Sequence, residues 1–94
     1  MKTYNYKTEY YLKDDYKNYY KVKYYNNYNN ALKHAIETMK KNRDENITLV
    51  IYDYINRSLA NLHYNNAEKS IIVYENDNIG RLTKSAIYFL HNWG

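Results

Sequence analysis

Residues 47–54 read Ile47-Thr48-Leu49-Val50-Ile51-Tyr52-Asp53-Tyr54. Both alternating sets carry apolar side chains, so this segment is predicted to be a strand covered on both faces, at the centre of a sheet. Downstream, Ile55-Asn56-Arg57-Ser58 can turn the chain into a second strand over Leu59–Tyr64. With Asn56-Arg57 at the turn centre, Ile51 faces Leu62 and Leu49 faces Tyr64. Thr48, Tyr52, Asn61 and His63 are then left on the opposite face. Asn65-Asn66 marks another turn, and Ser70–Glu75 another strand, broken by Asn76-Asp77-Asn78. Beyond it Ile79, Leu82, Ala86, Leu90 and Trp93 recur at helical spacing, which predicts a closing helix capped by Asp77, Asn78 or Thr83.

Upstream, Leu32, Ala35, Ile36 and Met39 fall at i, i+3, i+4, i+7, predicting a helix capped by Asn29 or Asn30. Lys33–Glu37 and Glu37–Lys41 are i,i+4 pairs on its wet side, and Arg43-Asp44-Glu45-Asn46 is a polar connector. Of residues 1–30, 22 are Tyr, Asn or Lys. Tyrosine favours strands and is scarce in disordered tails, so this stretch reads as a hairpin turning at Asp14-Asp15. Its inner face is predicted to carry Tyr4, Tyr6, Tyr10 and Leu12, then Tyr20, Val22 and Tyr24. These pack with Leu32, Ile36, Met39, Leu49, Ile51, Leu62, Leu90 and Trp93. The outer face presents Lys7, Tyr11, Tyr19, Lys21, Lys23 and Tyr25. The fold class is therefore α+β: a largely antiparallel five-stranded sheet with two helices on one face, in the order ββαβββα. Residues 1–94 form one domain, a Tyr/Lys-rich hairpin over 1–28 followed by αβββα over 29–94, with no internal repeat.

The chain has 94 residues, no cysteine, no proline and two glycines. A disulfide framework, thiolate metal sites and cysteine nucleophiles are excluded, as are Walker and dinucleotide-binding glycine loops. His34, His63 and His91 show no metal-ligand spacing, and no nucleophile elbow surrounds any serine. The expectation is a non-enzymatic protein without metal or cofactor. Tyr (15), Asn (15), Lys (11) and Ile (8) dominate, whereas Gly, Ala, Arg and Pro together number ten. That bias follows A/T-rich codons and points to a low-GC bacterium, or a phage or plasmid living in one. Residues 1–12 lack an apolar signal core, and no run approaches the ~20 apolar residues of a membrane span. A cytoplasmic location, with no membrane partner, is the expectation.

The net charge is +4, and residues 1–28 hold +3 of it. Lysines interleaved with tyrosines suit an acidic protein surface or a ribonucleoprotein complex, because tyrosine supplies rigid contact area. The same mixture suits RNA or single-stranded DNA, where rings stack on bases and ammonium groups meet phosphates. Residues 29–93, read as αβββα, resemble the double-stranded RNA-binding domain, with Gly80, Thr83, Lys84, Ala86 and Leu90 echoing the start of its second helix. The resemblance implies Arg81 and Lys84 as an alternative phosphate contact. The chain lacks that family's Gly-Pro-x-His loop and has one lysine where the family has a cluster. The leading functional expectation is a small inhibitor or accessory protein of a phage or mobile element, of the anti-CRISPR kind, acting on a host nuclease defence complex through a protein surface. Nucleic-acid binding by the hairpin, and homodimer assembly through exposed tyrosines, are the alternatives.

Overall fold

A computed structural model describes residues 4–12 and 19–90, the side chains of Tyr19 and Tyr20 apart. Among these residues the chain is a single α+β domain: one antiparallel sheet of six strands, and one α-helix. The strands are β1 (Tyr6–Leu12), β2 (Tyr19–Tyr25), β3 (Ile47–Asp53), β4 (Ser58–Asn65), β5 (Ser70–Asn76) and β6 (Leu82–Phe89), and the helix α1 (Tyr28–Lys41) lies between β2 and β3. Their order across the sheet is β2-β1-β3-β4-β5-β6. After β2 the chain runs back over the sheet as α1, so that β3 pairs with β1 rather than with β2. No helix among the described residues is long and apolar enough to cross a membrane.

The central position of β3 is as expected, but its covering on both faces is corrected: one set of side chains is buried and the other lies on an open face. Ile47, Leu49, Ile51 and Asp53 are buried under α1, while Thr48, Val50 and Tyr52 are half-buried on the other side. Ala31, Ala35 and Met39 are the buried stripe of α1, and two alanines let the helix sit close to the strands. The core is completed by Tyr10, Ala60, Leu62, Ile71 and Val73. The Tyr64 hydroxyl donates to the Met39 carbonyl and the Tyr28 hydroxyl to Glu75, tying sheet to helix at two points. Burial pushes both phenols well above their usual range, and Glu75 reinforces the shift at Tyr28. The helix cap is Asn27, whose Oδ1 accepts from the Asn30 N–H at 3.2 Å, two or three residues before the Asn29 or Asn30 expected from sequence.

Four other expectations are corrected. Residues 82–89 are a strand, not part of a second helix, so the sheet has six strands and the αβββα resemblance fails at its last element. Thr83, Ile87, Tyr88 and Phe89 favour strand. Gly80, at φ +84°, makes the preceding turn tight enough for a hairpin. The β3–β4 register pairs Leu49 with Leu62 and Ile51 with Ala60, two residues from the expected pairing. A two-residue slip preserves the faces, which is why alternation alone did not resolve it. In β2 the phase is inverted. Lys23 lies opposite Thr8 and Tyr25 opposite Tyr6, on the helix side, whereas Val22 and Tyr24 share the other face with Glu9 and Lys7. The register shift leaves Tyr20 without a partner in β1 and changes the phase. Leu12 is exposed instead of inward. The Asp14-Asp15 turn, Trp93 and His91 lie outside the described residues.

One local device occurs twice. In Asp53-Tyr54-Ile55-Asn56-Arg57, Asp53 Oδ1 accepts from the N–H groups of Ile55 and Arg57 at 3.0 and 2.9 Å. In Asp77-Asn78-Ile79-Gly80-Arg81, Asp77 Oδ1 accepts from Ile79 and Arg81 at 3.0 and 2.9 Å. The fourth residue of each turn is left-handed, Asn56 at φ 65° and Gly80 at φ 84°. The arginine reaches back to its aspartate, with Nε–Oδ2 at 3.0 Å in the first turn and 3.6 Å in the second. These hydrogen bonds hold both carboxyl groups below the ordinary aspartate range, although burial alone would raise them. The recurrence is five residues long, too short to form an internal repeat unit.

Candidate functional site: the open face of the sheet

A 14-residue helix spans about 21 Å, so it covers one face of the sheet and leaves the other open. Strand pairing places Lys7, Glu9 and Tyr11 of β1 on that open face, beside Thr48, Val50 and Tyr52 of β3. Asn61 and His63 of β4 follow, then Ile72 and Tyr74 of β5 and Lys84 and Ile87 of β6.

At the β1–β3 side the polar groups satisfy one another. Lys7 Nζ lies 2.9 Å from Glu9 Oε2, and the Tyr11 hydroxyl donates to Glu9 Oε1 at 2.5 Å. The Tyr11 and Tyr52 hydroxyls are 3.0 Å apart, and Lys7 Nζ sits 5.4 Å from the Tyr52 ring centroid. Glu9 is buried despite lying on the open face, because this cluster closes over it. Burial, then the bonds to Glu9 and Tyr52, push the Tyr11 phenol far up. The hydrogen bond to Glu9 raises the Lys7 ammonium above its usual value.

At the β4–β5 side lies a groove of about 670 Å³, with Asn61, His63, Asn65, Ile72, Tyr74 and Leu82 among its lining residues. His63 and Tyr74 meet edge to face at 5.8 Å, and His63 Nδ1 is 3.5 Å from Thr48 Oγ1. Burial lowers the His63 pKa below its ordinary 6.5, so the imidazole is neutral at pH 7. Asn61 Oδ1 is buried and has no hydrogen-bond partner. The groove thus joins apolar walls to polar groups with unused capacity, the combination that accepts an anchoring side chain.

The hairpin surface read from the sequence is divided between two faces. Lys7 and Tyr11 are on the open face, engaged by Glu9. Lys21 and Lys23 are exposed on the helix side of the edge strand β2. Tyr25 is on that side too, half-buried with its ring 5.2 Å from that of His34, and burial raises its pKa. Tyr19 lies opposite Tyr11 in the backbone register, and its side chain is outside the described residues. Arg81 is in the β5–β6 turn, paired with Asp77, and Lys84 is exposed within β6 opposite Tyr74. These two therefore do not begin a helix. Tyr52, His63, Asn61 and Tyr74 were not among the expected site residues, although alternation had already put Tyr52, Asn61 and His63 on one face.

Among the described residues no group of three or more His, Asp or Glu side chains could hold a metal ion. Comparison with protein-family models, curated proteins and solved structures finds no match, so the functional reading rests on this geometry.

Proposed function

We propose that this chain is a non-enzymatic protein-binding module, an accessory or inhibitor protein of a phage or other mobile element, and that it engages its partner with the open face of the sheet. A host nuclease defence complex of the anti-CRISPR target kind fits the codon bias and the size. One observation supports this reading over nucleic-acid binding. Across the open face the described strand residues supply three charged side chains, Lys7, Glu9 and Lys84, and Glu9 neutralises the first. Such a face presents Tyr11, Tyr52, Tyr74 and His63 with little net field. Aromatic anchors around a groove suit a protein interface, whereas phosphate binding draws on several unpaired cations.

The test has two parts. Oligonucleotide binding, measured by fluorescence anisotropy, is expected to be weak and to vanish near physiological salt, since each phosphate contact releases counterions. Retained sub-micromolar affinity there would transfer the reading to an RNA or single-stranded DNA binder stacking bases on the same tyrosines. Tagged wild type and a Tyr52→Ala/Tyr74→Ala variant are then compared for partner capture from the native host. Loss of about 2 kcal/mol or more per anchor is expected. A partner captured equally by both would remove the open face from consideration.

A further inference from the structure

The two edges of the sheet are built differently. At β2, Lys21 and Lys23 point to the helix side and are exposed, a charge pattern that repels an incoming strand. At β6, Leu82, Ile87, Tyr88 and Phe89 are 41%, 38%, 37% and 59% exposed, and Lys84 is the only charged residue. Among the described residues no strand pairs with the outer side of β6. A strand of eight residues with apolar side chains on both faces and an unpaired row of backbone groups is incomplete as it stands.

We propose that β6 pairs with β6 of a second copy, joining two sheets into one of twelve strands about a twofold axis. The register follows from the bulge. Val73 pairs with Ala86 and Tyr74 with Lys84, so Ser85 is the extra residue and shifts the phase of the strand. Leu82, Lys84, Ile87 and Phe89 consequently share the open face, although an even alternation would separate 82 from 89. A bulge blunts an edge against a regular strand. A copy carrying the same bulge matches it. With the axis between Ser85 and Ala86, Leu82 lies opposite Phe89 of the second copy, Thr83 opposite Tyr88, and Lys84 opposite Ile87. Every one of these pairs unites residues of the same face. The two Lys84 side chains stay three positions apart, roughly 10 Å at the strand rise. A register two residues away joins fewer same-face pairs, whereas this one keeps Leu82, Thr83 and Lys84 in phase with Phe89, Tyr88 and Ile87 along the whole strand, a match that a regular strand of another protein lacks. The inference is independent of what the open face binds.

Sedimentation equilibrium of the full chain over a concentration series tests it. A reversible dimer is expected. Ile87→Lys, which sets like charges opposite each other twice, should weaken it at least roughly tenfold. Lys21→Glu/Lys23→Glu, at the other edge, should leave it unchanged. Because the chain has no cysteine, Lys84→Cys/Ile87→Cys should form a covalent dimer on oxidation. Leu82→Cys/Ile87→Cys, out of register, should not. This second arm decides the matter if Ile87→Lys does not fold. A monomer at every concentration, a dimer indifferent to Ile87→Lys, or equal cross-linking of the two cysteine pairs would overturn the proposal.

Discussion

Tyr11 shows how a single residue can change its meaning once its neighbours are known. In the sequence it is one more tyrosine on a lysine-rich strand. In the fold its hydroxyl bonds Glu9 and meets Tyr52. Tyr11→Phe keeps the ring and deletes the donor to a buried carboxylate, so it should lower unfolding free energy by about 1–3 kcal/mol. Urea denaturation followed by circular dichroism checks this. An unchanged midpoint would mean that Glu9 finds water or Lys7 alone sufficient. Lys21 and Lys23 illustrate the reverse case. Both were read as facing the partner with Tyr11, yet they lie across the sheet from it. The strand was legible, but which of its two faces turned inward was not. On an edge strand neither face is fully covered, and a long lysine can carry its ammonium to water from either.

At the scale of elements, the parts decided by burial were readable. β3 and α1 each carry a periodic set of apolar residues; the structure buries Leu49 and Ile51 in the first and Ala35 and Met39 in the second, while Leu32 and Ile36 are half-buried and Ala31 takes the remaining core place. Leu82–Phe89 was misread because an edge strand with little burial imposes no period of two. Leu82, Ala86 and Leu90 then matched a helical spacing by coincidence. Glu9, buried on the open face, was invisible for a different reason: its direct partners Lys7 and Tyr11 are local, but Tyr52, which completes the cluster over it, comes from β3 about forty residues away. The close seat of α1 leads to a further expectation. Ala35 is 1% exposed, so Ala35→Leu must force helix and sheet apart or strain a rotamer. A loss of about 1–3 kcal/mol is expected, whereas the same change at the exposed Lys33 should be nearly neutral. Thermal unfolding of the two variants side by side separates these outcomes.

For the whole molecule, tyrosine also sets the alkaline limit of stability. Tyr11, Tyr28 and Tyr64 are held above the ordinary value of 10.0, mainly by burial. Below pH 10 they are protonated in folded and unfolded chains alike, and their contribution is complete. As pH rises past 10 the unfolded chain releases these protons first, so the contribution is lost. Stability should therefore fall above pH 10, and absorbance at 295 nm should show a late group of tyrosines titrating only as the fold opens. Simultaneous titration of all fifteen would contradict this. The paired aspartate turns carry a last consequence, one of time rather than of shape. Each closes a hairpin across a handful of residues, whereas joining Tyr10 to Leu49 must bring together positions 39 apart. Short closures cost less entropy and happen sooner. The strands from β3 to β6 should zip first from their two aspartate-clasped ends, and β1 should dock late. Gly80→Ala, which strains a left-handed position, should then act mainly by slowing refolding in stopped-flow experiments. Tyr10→Ala should act mainly by speeding unfolding. The N-terminal hairpin would thus be the last part of the chain to fold and the first to leave.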